Sequence, residues 1–352
     1  MILLISCVFP PEPVVSASLV YDLAIALSKI TDVKVLTPRP SRPLGFSFTA
    51  ETDKDTGFEH IQMKSFIYAK PNIFGRMLES YSFGKHAVDY ITKHRTEISC
   101  IYLNAWPLLA QYHIVNISKK YSIPTINHVQ DIYPESLATK FPFFNNIVSK
   151  SLFPIDKYIQ KNAVKIIAIS ENMATTLAKT RGIDCEKIEI IFNWQDECKF
   201  IRNNIFKEPQ PTNDLSSKQF TFMFLGNIGP VAGVDFLIKG FTKANLDNTH
   251  LIIAGSGSKK KKSMKVAKSL KNNNISFLHV PEGKVMETQT RADVMLLPVK
   301  RRAALSSIPS KLIAYMLSAK PVIACVDEDS NTALCIKQAS CGWVVAPENT
   351  EA

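Results

Sequence analysis

The sequence has no run approaching the roughly eighteen uninterrupted apolar residues that a membrane-crossing helix needs, and no positively charged start ahead of an apolar stretch of the kind that opens a secretory leader. Both absences direct the reading to a cytoplasmic protein. Its seven cysteines, at 7, 100, 185, 198, 325, 335 and 341, form no C-x-x-C pair and have no histidines at zinc-ligand spacing. Neither a disulfide framework nor a metal site is expected, and the thiols read as small buried apolar groups. No nucleic-acid-binding module is visible, and basic residues are not interleaved with aromatics, so nucleic acid drops out of the partners that a net charge of +11 admits. An anionic membrane surface or a phosphorylated small ligand is left. One further absence is local: between Val294 and Val326 there is no acidic residue, while Lys300, Arg301, Arg302, Lys311 and Lys320 all fall there.

A chain of 352 residues, 46% hydrophobic, is too long for one typical core and apolar enough for two. The first part opens with the strand-like ILLISCVF, a proline turn (Pro10, Pro11, Pro13) and a helical pattern through Leu19, Leu23, Ala26 and Leu27, then DVKVLTP, which together make one β-α-β unit. Residues 40–98 carry mixed signals. Alternation returns with CIYLN, a helix after Trp106, IPTINHVQDIYPES, VKIIAIS, a helix from Glu171, and KIEIIFNW. A polar, proline-containing break at 202–219 reads as a linker, and alternation then restarts: FTFMFLG, THLIIAGSG, ISFLHV, ADVMLLP, PVIACV and GWVVAP, each followed or preceded by a helical pattern. The expected architecture is α/β, with a doubly wound domain over 1–201 and another over 220–352, facing a central crevice at the carboxyl ends of their parallel strands. The tract Lys259–Lys262 after AGSG reads as a solvated helix face.

The acid-free stretch gains meaning from this frame. ADVMLLPVK (292–300) reads as a strand, RRAALSSIPS as a loop and KLIAYMLSAKPVIA as a helix and the next strand. A helix start favours acidic side chains, because its first amides are unpaired and the macrodipole is positive there, yet Lys311 sits at this one. A bound anion resolves the conflict, with Pro309 or Ser310 opening the helix, free amides aimed at phosphate oxygens and the cations adding attraction. Taken alone, such a run also reads as a solvated surface loop.

The runs KIEIIFNWQD, FLGNIGPVAGVDFLIKGF, LIIAGSG, and ADVMLLP with PSKLIAYMLSAKPVIA, in this order, resemble the GT-B glycosyltransferases of family 4. HVQDIYPES and VDEDSNTA…CGWVV resemble the branch that builds O-antigen and capsule. The resemblance implies transfer, with retention, of a hexosyl or N-acetylhexosaminyl group from a nucleotide-diphosphate sugar, UDP-linked, to a lipid-linked or saccharide acceptor at the inner face of the cell membrane, with no metal or other cofactor. It implies that the loop Gly226, Asn227, Ile228, Gly229, Pro230 approaches the diphosphate, helped by Lys300, Arg301, Arg302, Ser307, Pro309, Ser310 and Lys311, that Val280 holds the base, and that Glu12 and Ser16 lie on the acceptor side. The glycine loop alone also reads as an ordinary turn. His128 matches a family position near the donor sugar, and otherwise reads as a hydrogen-bonded core histidine; Asp131 is a proton acceptor or a helix cap.

The sequence departs from the family in two places. An Arg and a Lys that usually grip the diphosphate are Asn227 and Ala232, so charge must come from the 300–302 run and Lys311. The paired glutamates of an E-x7-E pattern are Ser306 and Ala314. Their loss favours a second reading, a non-catalytic nucleotide-sugar-binding partner subunit; a nucleotide-sugar epimerase on the same fold is a third. Asp327 and Asp329 mimic a D-x-D metal motif and read as capping residues of the helix that follows. Phe66–Leu78 mixes apolar groups with Lys70 and Arg76, as a segment in the headgroup layer or as a half-buried helix. The sequence stops at PENTEA, where the fold's crossover helix would start, and a longer chain carrying that clasp is expected.

Overall fold

The computed structural model describes residues 1–12, 14–41, 56–68, 73–104, 107–135, 145–197, 219–281, 283–301 and 309–349. The chain divides into two units, Met1–Asn193 and Trp194–Ala352. Of the 202–219 linker only Gln219 lies among the described residues.

In the first unit, short apolar runs bounded by turns form β1 (Ile2–Ile5), β2 (Val33–Pro38), β4 (Cys100–Asn104), β5 (Thr125–Val129), β6 (Lys165–Ala168) and β7 (Ile188–Ile190). Residues 40–98, where the sequence signals are mixed, contribute the edge strand β3 (Glu59–Met63) and the long helix α2 (Ile73–His94). All seven strands pair in parallel in the order β3-β2-β1-β4-β5-β6-β7. Alternate residues face opposite sides: Leu3 and Ile5 join a core with Phe83, Ile91 and Ile114 from α2 and α3 (Leu108–Lys120), whereas Leu4 joins Val20 and Ala24 of α1 (Val15–Ser28). Helix α4 (Asn145–Asn162) packs with the α2 and α3 side through Ile159. Helix α5 (Glu171–Arg181) is bounded by local chemistry, since the Ser170 hydroxyl accepts from the Met173 amide at 3.2 Å and Gly182 closes it in a left-handed conformation (φ 62°).

The second unit repeats the plan with β8 (Phe220–Leu225), α6 (Val234–Ala244), β9 (Thr249–Ala254), α7 (Lys260–Ser269), β10 (Ile275–Leu278), α8 (Val285–Gln289), β11 (Val294–Pro298), α9 (Ser310–Leu317), β12 (Val322–Cys325), α10 (Asn331–Gln338) and β13 (Gly342–Val345). Its six parallel strands run β10-β9-β8-β11-β12-β13. Both units are thus doubly wound Rossmann-like sheets. In each the order reverses beside the first strand, at β1/β4 and at β8/β11, and the carboxyl end of such a switch point is where open α/β sheets take ligands.

Candidate functional site

At the switch point of the second unit, β8 runs into Gly226 and α9 begins at Ser310. Helix α9 has Pro309 at its cap position and no acidic residue in its first turn; the Leu312 amide donates to the Pro309 carbonyl at 2.9 Å, and no side chain among the described residues caps the amides before it. Lys311 is the first-turn cation. Its ammonium lies 4.8 Å from the ring centroid of Phe224, and a Cβ placed on Gly226 would sit 2.2 Å from its Cε. Phe224 packs into the core on the α6 side of the sheet and Leu312 into the core on the α9 side, so the lysine stem passes over the sheet edge beside Gly226. Burial lowers the Lys311 pKa to about 8, and no carboxylate among the described residues pairs with it. A partly desolvated cation beside the amides of a helix start is an arrangement that can attract an anion.

The glycine loop is set by backbone contacts. Gly226 (φ 148°) donates to the Ala254 carbonyl at 3.0 Å, Ile228 donates to Ser256 at 2.7 Å, and a Cβ on Gly255 (φ 126°) would meet the Gly226 carbonyl oxygen at 2.1 Å. Only residues without side chains allow the loops after β8 and β9 to lie this close. Asn227 is exposed, and Gly229 and Pro230 line a cavity of about 420 Å³ with Gly233, Asp235, Lys239, Lys259, Lys262 and Lys300. The Lys300 amide donates to the Val231 carbonyl at 3.1 Å, tying the loop after β11 to the loop after β8.

The cation run is divided. Lys300 lines the cavity beside Gly229, while Arg301 lines another, of about 360 Å³, with Asp327, Glu328 and Asp329. Arg302, Ser306 and Ser307 lie outside the described residues. Val280 follows β10 and packs, half-buried, on the α9-side core. Asp327 and Asp329 do not cap α10 as expected; Ser330 does, accepting from the Ala333 amide at 3.2 Å, because its short hydroxyl is the group adjacent to the first turn. No group of three or more metal-ligating side chains occurs among the described residues. The Gln195 side chain, which the sequence pattern gave no reason to notice, donates to the Ser310 carbonyl at 3.2 Å at the start of α9.

In the first unit, His128 lies in β5 at 1% exposure. Its Nδ1 is 2.5 Å from the Tyr102 hydroxyl, its Nε2 is buried with no partner among the described residues, and burial lowers its pKa to about 4, so it is neutral near pH 7. The half-buried Asp131 follows in the bend after β5. Ser16, in the first turn of α1, donates to the Gln130 side-chain oxygen at 2.7 Å. Glu12 is 5% exposed and its carboxylate accepts from the amides of Phe9 at 3.2 Å and Ser41 at 2.8 Å, which ties the loop after β1 to the end of β2. The loop after β5 is held by Arg181, fully buried, which donates to both oxygens of Glu135, to the Tyr133 carbonyl and, at 2.7 Å, to Asp156. From Asp156 a buried chain of amides and hydroxyls continues through Gln160, Asn127, Gln111 and Asn104 to Ser6 beside β1.

Comparison with known proteins decides the family. A model described as Glycosyltransferase Family 4 matches residues 16–197, more than half of the chain, and one described as Glycosyl transferases group 1 matches 206–352. The chain belongs to Glycosyltransferase Family 4. Among solved structures, this glycosyltransferase is similar to HepE of Anabaena in complex with UDP, at 16% identity and TM-score 0.71 over 99% of this chain and 86% of that one. Sucrose-phosphate synthase of Thermosynechococcus elongatus matches at 14% identity and TM-score 0.76 over 100% and 87%, and WaaG, a glycosyltransferase involved in lipopolysaccharide biosynthesis, at 16% and 0.66 over 100% and 88%. At these identities the likeness shows the fold, which is GT-B. No curated protein matches the chain in sequence.

Proposed function

We propose that this glycosyltransferase moves a sugar from a UDP-linked donor, bound by the second unit, to a saccharide or lipid-linked acceptor in the assembly of a surface polysaccharide. The observation that carries the donor reading is the Lys311 ammonium, half-buried with no carboxylate partner among the described residues, at the start of α9 and against the side-chain-free Gly226. The solved complexes of HepE with UDP and with UDP-glucose are consistent with a uridine diphosphate in such a fold.

In the reaction as proposed, the bond between the anomeric carbon and the β-phosphate oxygen breaks, the acceptor hydroxyl oxygen attacks on the same face, and its proton passes to the departing diphosphate. Charge grows on that leaving group. Lys311 and the α9 amides meet it, and an electrostatic contact that strengthens as charge develops lowers the barrier rather than only binding the ground state. This supplies positive charge where Asn227 and Ala232 stand in place of the family's Arg and Lys, and it needs neither glutamate of the missing pair nor a metal. His128 and Asp131 are proposed to act from the first unit on the sugar and the acceptor, with Glu12 and Ser16 shaping the acceptor side.

The acceptor reading draws on helix α2. Phe74 (70% exposed), Met77, Leu78 and Tyr81 form an i, i+3, i+4, i+7 stripe left open to solvent, with Lys85 next along it. Such a stripe suits the headgroup layer in which a lipid-linked acceptor would be met. No helix among the described residues is long and apolar enough to cross a membrane. Titration with UDP and UDP-sugars, then release of UDP in the presence of acceptors, tests the whole reading and separates it from a binding subunit, which would bind without release.

A further inference from the structure

Strand β8 pairs with β9 along its whole length, Phe220 to Leu225, but with β11 only at Phe222 and Met223, opposite Val294 and Met295. Beyond Met223 the two central strands part. Gly226 donates to Ala254 on β9, so by the alternation of a strand the Leu225 amide and carbonyl face the side that β11 has left. Strand β11 has little to offer there. The amides of Met295 and Val299 bond toward β12, to Pro321 and Cys325, which leaves Leu296 and Pro298 turned to β8 at this level. The ladder would pair the Leu225 carbonyl with the amide of residue 298, and proline has no N–H to give, while the Leu225 amide is taken by a side chain in place of the Leu296 carbonyl. A buried, half-paired strand end would carry two unsatisfied backbone groups.

Tyr315 fills this vacancy. Fully buried on α9, its hydroxyl accepts from the Leu225 amide at 3.0 Å and donates to the Leu225 carbonyl at 2.7 Å, using one oxygen as both partners of the missing strand. Leu225 directly precedes Gly226, and Tyr315 lies one helical turn, i+4, from Lys311. The same side chain is therefore bonded to the base of the glycine loop and built into the helix that carries the cation.

We infer that Tyr315 is a positioning residue for the diphosphate site, its hydroxyl substituting for a β11 backbone partner so that the Gly226 loop and the start of α9 are held at one fixed separation. The inference rests on the donor reading of this site. A site made of two separate elements binds a rigid diphosphate well only when their spacing is set in advance, and the hydroxyl is the direct bond between them.

The test uses Tyr315→Phe, which keeps the ring and removes only the oxygen, beside Ile336→Val as a core change of the same apolar cluster away from the site. Calorimetric titration with UDP should show affinity weakened about tenfold in Tyr315→Phe, equivalent to about 1.4 kcal/mol, and unchanged in Ile336→Val. Amide exchange in the wild-type protein should show Leu225 and Gly226 protected as well as Phe224, with protection of both reduced in Tyr315→Phe. Wild-type UDP affinity in folded Tyr315→Phe, or Leu225 exchanging at loop rates in the wild type, would overturn the inference. Failure of the wild type to bind UDP would instead reject the donor reading, and the exchange data would still decide whether Tyr315 holds the loop.

Discussion

Lys311 reaches the ring of Phe224, its ammonium 4.8 Å from the centroid, through the space left by the missing side chain of Gly226. Gly226→Ala should close that passage. The new Cβ would lie 2.2 Å from the lysine Cε at a backbone φ of 148°, so both the stem and the loop must move. A stability loss of about 1–3 kcal/mol is expected from the strained backbone, read by urea unfolding, together with weaker UDP binding. An alanine variant of unchanged stability and affinity would show that the close approach has no consequence.

The lowered pKa of Lys311 predicts a pH dependence with opposite signs for binding and folding. In the folded chain the ammonium loses its proton near pH 8, against 10.5 for the ordinary group, while the diphosphate is already fully ionised. UDP affinity should fall as pH rises through about 8. The free protein, whose folded state binds fewer protons than the unfolded between about 8 and 10.5, should gain stability over that interval. Lys311→Arg keeps its charge and should flatten the fall in affinity. Equal declines in the two proteins would place the titrating group elsewhere.

His128 carries an acid-side signature. Its pKa is about 4 in the fold against 6.5 unfolded, so its contribution to stability is present above pH 6.5 and is lost as pH falls from 6.5 through 4. His128→Gln should show a smaller loss of urea midpoint across that window. In turnover, His128→Ala should lose more in rate than in donor affinity if the imidazole acts on developing charge, and equal losses would leave it a core histidine bonded to Tyr102.

The exposed stripe on α2 predicts binding to anionic vesicles that weakens with salt. Phe74→Ser with Lys85→Glu should lower the bound fraction in flotation, the first by removing buried apolar area and the second by removing roughly 1 kcal/mol of attraction. Vesicle binding indifferent to both changes would remove α2 from the acceptor reading.

Much of this fold can be read from residue order, and the exceptions have physical causes. Strands such as THLIIA and VMLLP are buried on both faces, so they appear as continuous apolar runs between turn residues. Strand β3, EHIQM, lies at the sheet edge and has no such run, and α2 leaves Phe74, Met77, Leu78 and Tyr81 in solvent, which blurs the period that marks a helix. In the site, Lys311 stood out because a cation at a helix start breaks a local rule. Tyr315 broke none. Its hydroxyl matters only because β8 and β11 separate, and the polar chain from Arg181 to Ser6 is likewise assembled from residues far apart in sequence that no spacing connects.

Whether Lys311 and the start of α9 hold the donor diphosphate is read by calorimetric titration of UDP into the wild-type protein and into Lys311→Ala. Saturable binding to the wild type is expected, with a loss of about 1.5–3 kcal/mol in the variant, the range for a hydrogen bond to a charged group. Equal affinity in a folded Lys311→Ala protein would contradict that role.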